Sequence, residues 1–464
     1  MKLLSYLSCG LSTTFNILVN AVTFGRVLWL EGRVTGGRFR NWARNFRYKP
    51  VSFARPTTEQ EIVDLVQNST AIRFFGSGHS FNAGVVSDHT LVSLDNYCGV
   101  VWKDLPNMQV CFRGGTRVRD VVKALLAEGL AFAAMPSHDA QSLAGILSTD
   151  VHGTGRNWGW VSEMVIGMKI IDGSGQVHQV GPSDDLFKAA IGGIGAVGII
   201  TEVAVQAVPR FNVAQKFELV DLSYVRANLD QMLADNDHLS LYLFPFANKC
   251  QVSIWNHTTA PRSALASVRE WIAISFDALT SAWFGGFMAY AGLLDTWSNW
   301  AYGLKRGTNL VMESNEAFNR SIYHLHQELE FTVPYADTWT ECDRFLKLFE
   351  TMYTNDLPYA LLEVRFTPAG HDCTLIGAGR ERRSTWIDLI CNDSRGFESY
   401  YAAAEGEIRN IGGRPHLGKF AGTLTKSDMH NIHGANFDQF LQLMAQHDPQ
   451  DKFANGFTRR VFRS

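Results

Sequence analysis

Two glycine-rich clusters hold the residues best suited to chemistry. The first is Arg73-Phe74-Phe75-Gly76-Ser77-Gly78-His79-Ser80-Phe81-Asn82. Without Cβ atoms at Gly76 and Gly78, the N–H groups of this turn can approach an anion closely. His79 follows directly, and from the turn alone it reads either as a solvated histidine or as a group aimed at a bound molecule. The second cluster is Ser142-Leu-Ala-Gly145-Ile-Leu-Ser148-Thr149-Asp150-Val-His152-Gly153-Thr154-Gly155, again small and hydroxylic. Two such clusters in one region imply a large phosphorylated cofactor lying between two loops.

Charged groups gather in the second half. In Leu361-Leu-Glu363-Val-Arg365-Phe366, alternation places Glu363 and Arg365 on one strand face and Leu362, Val364 and Phe366 on the other. Near the end, Gly413-Arg414-Pro415-His416-Leu417-Gly418-Lys419 clusters basic groups around a proline-fixed backbone. On residue types alone the first is also compatible with a surface ion pair and the second with a basic loop.

The elements that must position these groups are legible in outline. Thr58 to Val66 reads as a short helix with a Thr58–Glu61 capping box, followed by a buried strand from Ala71 to Phe75. Met168 to Ile171 and Val177 to Val180 flank Asp172-Gly-Ser-Gly175, a hairpin signal. Gly193-Ile-Gly195-Ala-Val-Gly198 matches a dinucleotide fingerprint, but it follows a helical run and precedes a strand, Ile199 to Val205. That is the reverse of the order a nicotinamide site requires. Leu239 to Pro245 and Gln251 to Trp255 read as paired strands, and Phe331 to Pro334 as a strand before a helix at Asp337 to Tyr353. Residues 264–304, rich in Trp, Phe, Ala and Leu, read as a buried helical pair or as a surface that docks on a membrane. The mixture of hairpins and helices makes the fold class α+β.

With 464 residues, 46% hydrophobic and 19% charged, the chain supports at least two domains with sizeable cores. A net charge of -3 and the lack of a long basic run argue against a nucleic-acid partner. The seven cysteines are scattered without a C-x-x-C, so no metal site is expected. Leu3 to Phe24 has no charged residue and could lie on or span a bilayer. Its serines, threonines and asparagines dilute it, so a membrane-associating helix, a signal anchor and a helix packed on the protein all stay open.

Gly-Ser-Gly-His-Ser-Phe-Asn, followed by Ser-Leu-Ala-Gly and His-Gly-Thr-Gly, resembles the flavoprotein oxidases of the vanillyl-alcohol-oxidase type, and within them the aldonolactone oxidase and alditol oxidase branch. The resemblance implies a two-domain FAD-binding fold of the PCMH type with an α+β substrate domain on an antiparallel sheet. The expected boundaries are an apolar extension over 1–40, an FAD-binding domain over 41–210, a substrate domain over 211–420 with the insertion 264–304, and a C-terminal segment over 421–464 returning to the FAD domain. It implies FAD bonded covalently through His79. Cofactor contacts would come from Phe75, Gly76, Ser77, Gly78, Ser80, Phe81, Ser142, Gly145, Thr149, His152, Gly153, Gly155, Ile199, Ile200 and His416. Glu363, Arg365, Lys419 and Ser137 would form the catalytic set, with Pro136 facing the oxygen approach and favouring oxidase over dehydrogenase. The expected partners are oxygen and a small alcohol on a sugar lactone or polyol. The alternatives are a more hydrophobic alcohol, suggested by the aromatic insertion, and an inactive flavin-fold binding protein. Membrane association through 1–25 or 264–304 is a further expectation, placing a membrane or secretory-pathway location ahead of the cytoplasm. The oligomeric state is not legible.

Overall fold

A computed structural model of the chain describes residues 2–23, 31–87, 89–157, 159–304, 308–319, 326–353, 360–392 and 396–463. The first glycine cluster leaves a three-stranded parallel sheet in which Thr90–Ser93 lies between Ser52–Ala54 and Ile72–Phe75. The crossover is the helix Glu59–Asn68. Thr58 caps it by accepting the Glu61 N–H at 3.2 Å, while the Glu61 carboxylate accepts the Thr57 N–H at 2.6 Å, one residue before the expected partner.

A five-stranded antiparallel sheet follows, in the order Val177–Val180, Val165–Ile171, Ile199–Gln206, Gln109–Arg113, Val100–Asp104. The hairpin forms where the turn residues predict it, with Asp172 Oδ1 accepting the Ser174 and Gln176 N–H groups at 2.9 and 3.0 Å. Gly193 to Gly198 links the helix Asp185–Ala190 to the strand Ile199–Gln206, the order that argues against a dinucleotide fingerprint.

From Asn212 onward the strands join one eight-stranded antiparallel sheet. Its order is Asn309–Glu313, Asn212–Asp221, Lys249–Thr258, His238–Leu243, Ala360–Thr367, Ser384–Asn392, His326–Pro334, Arg414–Pro415. The architecture is the expected α+β one. The strand read from Phe331 begins at His326, an extension that matters for the site. Helices Thr338–Met352 and Phe397–Asn410 cover one sheet face, burying Phe345, Phe349, Tyr400 and Tyr401 against Phe331 and Leu389.

The insertion forms the helix Ala266–Thr280, a π turn Ser281–Gly285 and helices Gly286–Tyr290 and Leu294–Leu304. Of the two readings of this stretch, the buried helical pair does not hold, since Ile272, Phe276, Phe284 and Phe287 are exposed. The N-terminal helix Lys2–Thr23 packs against it, and none of the described helices is long and apolar enough to cross a membrane. At the other end, Phe437, Phe440, Val461 and Phe462 join the core of the first half.

Arg73, the lone charge in an apolar strand, ties these parts together. Its buried guanidinium donates to the carbonyls of Gly84 at 2.8 Å, Ile194 at 2.6 Å, Gly195 at 3.3 Å and Phe453 at 2.8 Å. One side chain thus fixes the first glycine turn, the 193–198 turn and the C-terminal segment. Arg73→Ala leaves four buried carbonyls without their donor and is expected to cost about 3 kcal/mol or more of unfolding free energy, read from urea denaturation.

Candidate active site

The sheets and the two glycine clusters enclose a cavity of about 440 Å³. One end is walled by Phe75 to Asn82, Ser142, Gly145, Ser148, Thr149, His152, Ile199, Ile200 and Phe453. The turn needs its glycine at Gly78, where φ is +63° and a Cβ would lie 2.7 Å from the Gly32 Cα. His79 lies against His138 (ring centroids 4.4 Å apart) and Trp42 (5.5 Å). Its Nε2 is buried and has no hydrogen-bond partner among the described residues, and burial holds the ring well below the usual histidine range. A neutral ring nitrogen left unsatisfied in a cavity wall suits a bound group that supplies the missing contact.

The structure brings together every expected catalytic residue and nearly every expected cofactor residue. Glu363, Arg365, Lys419 and Ser137 all line this cavity, as do Pro136 and His416. The exceptions are Gly153, which lines a small neighbouring cleft, and Gly155, which lines neither. The chain turns away after His152: the Gly153 N–H bonds the Gly159 carbonyl at 2.7 Å, and Gly155 pairs with His238 of the large sheet. Asp150 also avoids the cavity. It turns, at φ +51°, to bond His371 at 2.9 Å and Ser162 at 2.9 Å.

Register builds the charged end. Tyr242, Glu363, Asp388 and Glu330 sit directly opposite one another on four consecutive strands, forming one row across the sheet. Like charges set opposite destabilise a sheet unless something compensates them. Arg365, one step along its strand face from Glu363, bonds Glu330, lies 4.0 Å from Asp388 and donates to the Ser137 Oγ at 3.4 Å. Lys419 enters from the loop, bonding Glu328 and reaching Asp388 at 3.0 Å and Glu330 at 3.6 Å. His152 meets Glu330 at 3.2 Å and stacks on Trp386 at 3.5 Å. Glu363 accepts the Tyr242 hydroxyl at 2.9 Å and acts on Arg365 through its charge.

Burial would lower Arg365 and Lys419, but the surrounding carboxylates outweigh it and hold both above their ordinary ranges, firmly charged. Burial would raise Glu328 and Glu330. Lys419 and His326 hold the former well below the usual carboxylate range, and Arg365, Lys419 and His152 do the same for the latter. Asp388 goes the other way: burial and the two neighbouring anions push it well up, against the pull of Lys419 and Arg365. Arg365 Nε, Glu330 Oε2 and Asp388 Oδ1 are buried with no hydrogen-bond partner among the described residues. Burial drives His416 down to about 3, and as a neutral ring it accepts the Gly418 N–H at 2.9 Å. Beyond this row the cavity runs past Phe217, Phe244 and Gln251 to Glu270, Ala273 and Ile274 of the insertion helix.

Sequence reasoning missed Glu328, Glu330 and Asp388, together with Tyr242, His138 and Trp42. The available signal was the alternation in His326-Gln-Glu328-Leu-Glu330-Phe331, which places two acids on one strand face.

A family model described as FAD binding domain matches residues 50–181. A second, described as D-arabinono-1,4-lactone oxidase, matches residues 203–461. Cholesterol oxidase from Brevibacterium sterolicum shares the fold with a TM-score of 0.72 at 16% identity, over 93% of this chain and 98% of that one. The L-gulono-1,4-lactone dehydrogenase of Mycobacterium tuberculosis is 24% identical over 435 residues, 91% of this chain and 98% of its own. The L-gulonolactone oxidase of Bos taurus is 25% identical over 443 residues, 92% of this chain and 98% of its own. The D-arabinono-1,4-lactone oxidase of Saccharomyces cerevisiae is 29% identical over 231 residues, 48% of this chain and 44% of its own. The two matched models together define an FAD-dependent oxidoreductase of the vanillyl-alcohol-oxidase type. Within that class, the chain belongs to the D-arabinono-1,4-lactone oxidase family.

Glu270 gives the cavity a testable pH signature. Buried and bonded to Gln215 at 2.9 Å, its carboxyl is pushed up to about 7, chiefly by burial. A folded-state value above the unfolded one stabilises the fold fully below about 4.5, and that contribution is lost as pH rises through about 7. Thermal unfolding between pH 5 and 8 is expected to show wild type losing about 3 kcal/mol relative to Glu270→Gln, which has no proton to lose.

Proposed function

We propose that this protein oxidises an alcohol carbon of a sugar lactone and returns the electrons to oxygen. The observation that carries the reading is the convergence of Glu363, Arg365 and Lys419 on the cavity walled by the 75–82 turn and the 142–152 segment. The turn, Ser142, Gly145, Thr149, His152, Ile199 and Ile200 would hold FAD, with His416 at its ring. The chemistry FAD supplies there is acceptance of a hydride from the alcohol carbon, with reoxidation by oxygen to hydrogen peroxide.

The protein's part is orientation and charge. Ser137 and Tyr242 flank the row and would fix the hydroxyls of the substrate ring. Arg365 and Lys419 would stabilise alkoxide charge as it develops, and their buried setting strengthens that effect. Glu363 would orient the reacting hydroxyl and accept its proton. Pro136 lies in the wall beside Ser137, and its resemblance to oxygen-reactive members of the family favours oxidase over dehydrogenase. A second reading, a larger and more apolar alcohol, draws on the extension of the cavity along Phe217, Phe244 and Ile274.

His79 would carry FAD covalently, since its unpartnered Nε2 sits in the wall of the cavity. Acid-precipitated wild-type protein is expected to retain flavin absorbance and His79→Ala to release it. Flavin absorbance retained by the variant would refute the attachment. Peroxide assays over aldonolactones, alditols and apolar alcohols test the substrate: turnover of lactones alone supports the first reading, and turnover of apolar alcohols alone the second.

A further inference from the structure

Outside the cavity, the 165–180 hairpin and a C-terminal helix bring three metal-binding side chains to one point. Asp172 follows the strand Val165–Ile171, and His178 stands on the returning strand Val177–Val180, opposite Ile170. His447 is the final residue of the helix Ala435–His447. Gly173 lets that helix end come close. Its N–H donates to the His447 carbonyl at 2.7 Å, and a Cβ there would lie 2.6 Å from Asp448 Oδ1. Asp172, His178 and His447 are not among the residues that line the cavity.

The Asp172 carboxylate is divided between two tasks. Oδ1 accepts the Ser174 and Gln176 N–H groups at 2.9 and 3.0 Å and the Ser174 hydroxyl at 2.6 Å. Oδ2 is thereby held toward the imidazoles, an outer set of hydrogen bonds of the kind that orients metal ligands. His178 Nε2 lies 2.7 Å from Oδ2, and His447 Nδ1 lies 3.6 Å from it, beyond a direct hydrogen bond. The three ligand atoms fall within 4.8 Å of one another. Zinc bonds of about 2.0–2.2 Å separate tetrahedral ligands by about 3.3 Å, so modest side-chain adjustments close the three on one ion. The imidazoles meet edge to face, at 90° with centroids 5.0 Å apart, so they do not stack and both nitrogens can turn to that ion.

Two imidazoles and one carboxylate suit zinc and its transition-metal neighbours rather than calcium or magnesium, which take oxygen ligands. The His447 end of its helix also carries the negative pole of the helix dipole, which favours a cation. The His178 side chain is 20% exposed, which leaves an ion a way in and a water the fourth position. The other such group among the described residues, His152, Glu330 and His416, is buried in the active-site cavity, where Glu330 already serves Arg365. We propose that Asp172, His178 and His447 bind a zinc ion that staples the C-terminal helix to the 165–180 hairpin. The segment it secures runs on to Phe453, which walls the cavity and whose carbonyl accepts the Arg73 guanidinium. Histidines and an aspartate joined only by folding form this site, so the spacing of the cysteines gives no sign of it. The site stands whichever alcohol is oxidised.

The test is calorimetric titration of zinc into the full-length, FAD-loaded protein, untagged and stripped with EDTA. Wild type is expected to bind one zinc ion per chain at micromolar concentration, and His178→Ala and His447→Gln each to weaken binding by about tenfold or more. Zinc is also expected to raise the wild-type melting temperature by about 3 °C and to leave that of both variants unmoved. His178 is partly exposed on an edge strand, so His178→Ala should keep its flavin and its zinc-free melting temperature, which shows that it folds. Wild type that takes up no zinc at millimolar concentration would overturn the proposal. Variants that bind zinc as tightly as wild type would overturn it too, by assigning the ion to another place. Binding with no shift in melting temperature would refute the staple.

Discussion

The structure depends on a buried balance of charge. Arg365 and Lys419 lie in the interior among Glu328, Glu330 and Asp388. Taking isolated charges out of water is costly, and such groups persist only when paired and hydrogen-bonded. Here the two cations stand among these acids, and burial together with Glu328 and Glu330 pushes the third, Asp388, well above its ordinary range. That arrangement keeps two firmly charged cations within the cavity.

Sheet register is what makes this balance possible. Tyr242, Glu363, Asp388 and Glu330 share a row because four strands from distant parts of the chain pair without a slip. A shift by one residue would turn the acids to the other face and bring Leu362 or Leu389 into the cavity. Lys419 reaches the row from the opposite side, and its loop is held by the first glycine cluster: the Phe81 N–H bonds the Gly418 carbonyl at 3.0 Å, and the Asn82 amide bonds the Lys419 carbonyl at 3.0 Å. The 75–82 turn and the charged row are thus two ends of one hydrogen-bonded unit.

Much of this was legible in the sequence because it is local. Gly76-Ser-Gly78-His79 encodes a turn through its missing Cβ atoms, and Glu363-Val-Arg365 encodes a shared face through strand alternation. What remained hidden is set by long-range pairing. Nothing local indicates that Glu330 will stand opposite Asp388, or that Arg73 will reach carbonyls near residues 194 and 453. Gly153 and Gly155 belong to the same glycine-rich run as His152, but the chain leaves the cavity between them. The insertion was hidden for a different reason: an aromatic helix reads alike whether its apolar side meets a core or faces outward, and only its placement against the N-terminal helix distinguishes the two.

The most direct measurement of the central claim is anaerobic mixing of the FAD-loaded protein with an aldonolactone, following the loss of flavin absorbance in wild type and in Lys419→Met. If Lys419 stabilises charge in the reacting complex, the bleaching rate should fall by about a hundredfold or more in the variant while flavin content stays the same. Equal bleaching rates in the two proteins would contradict the account.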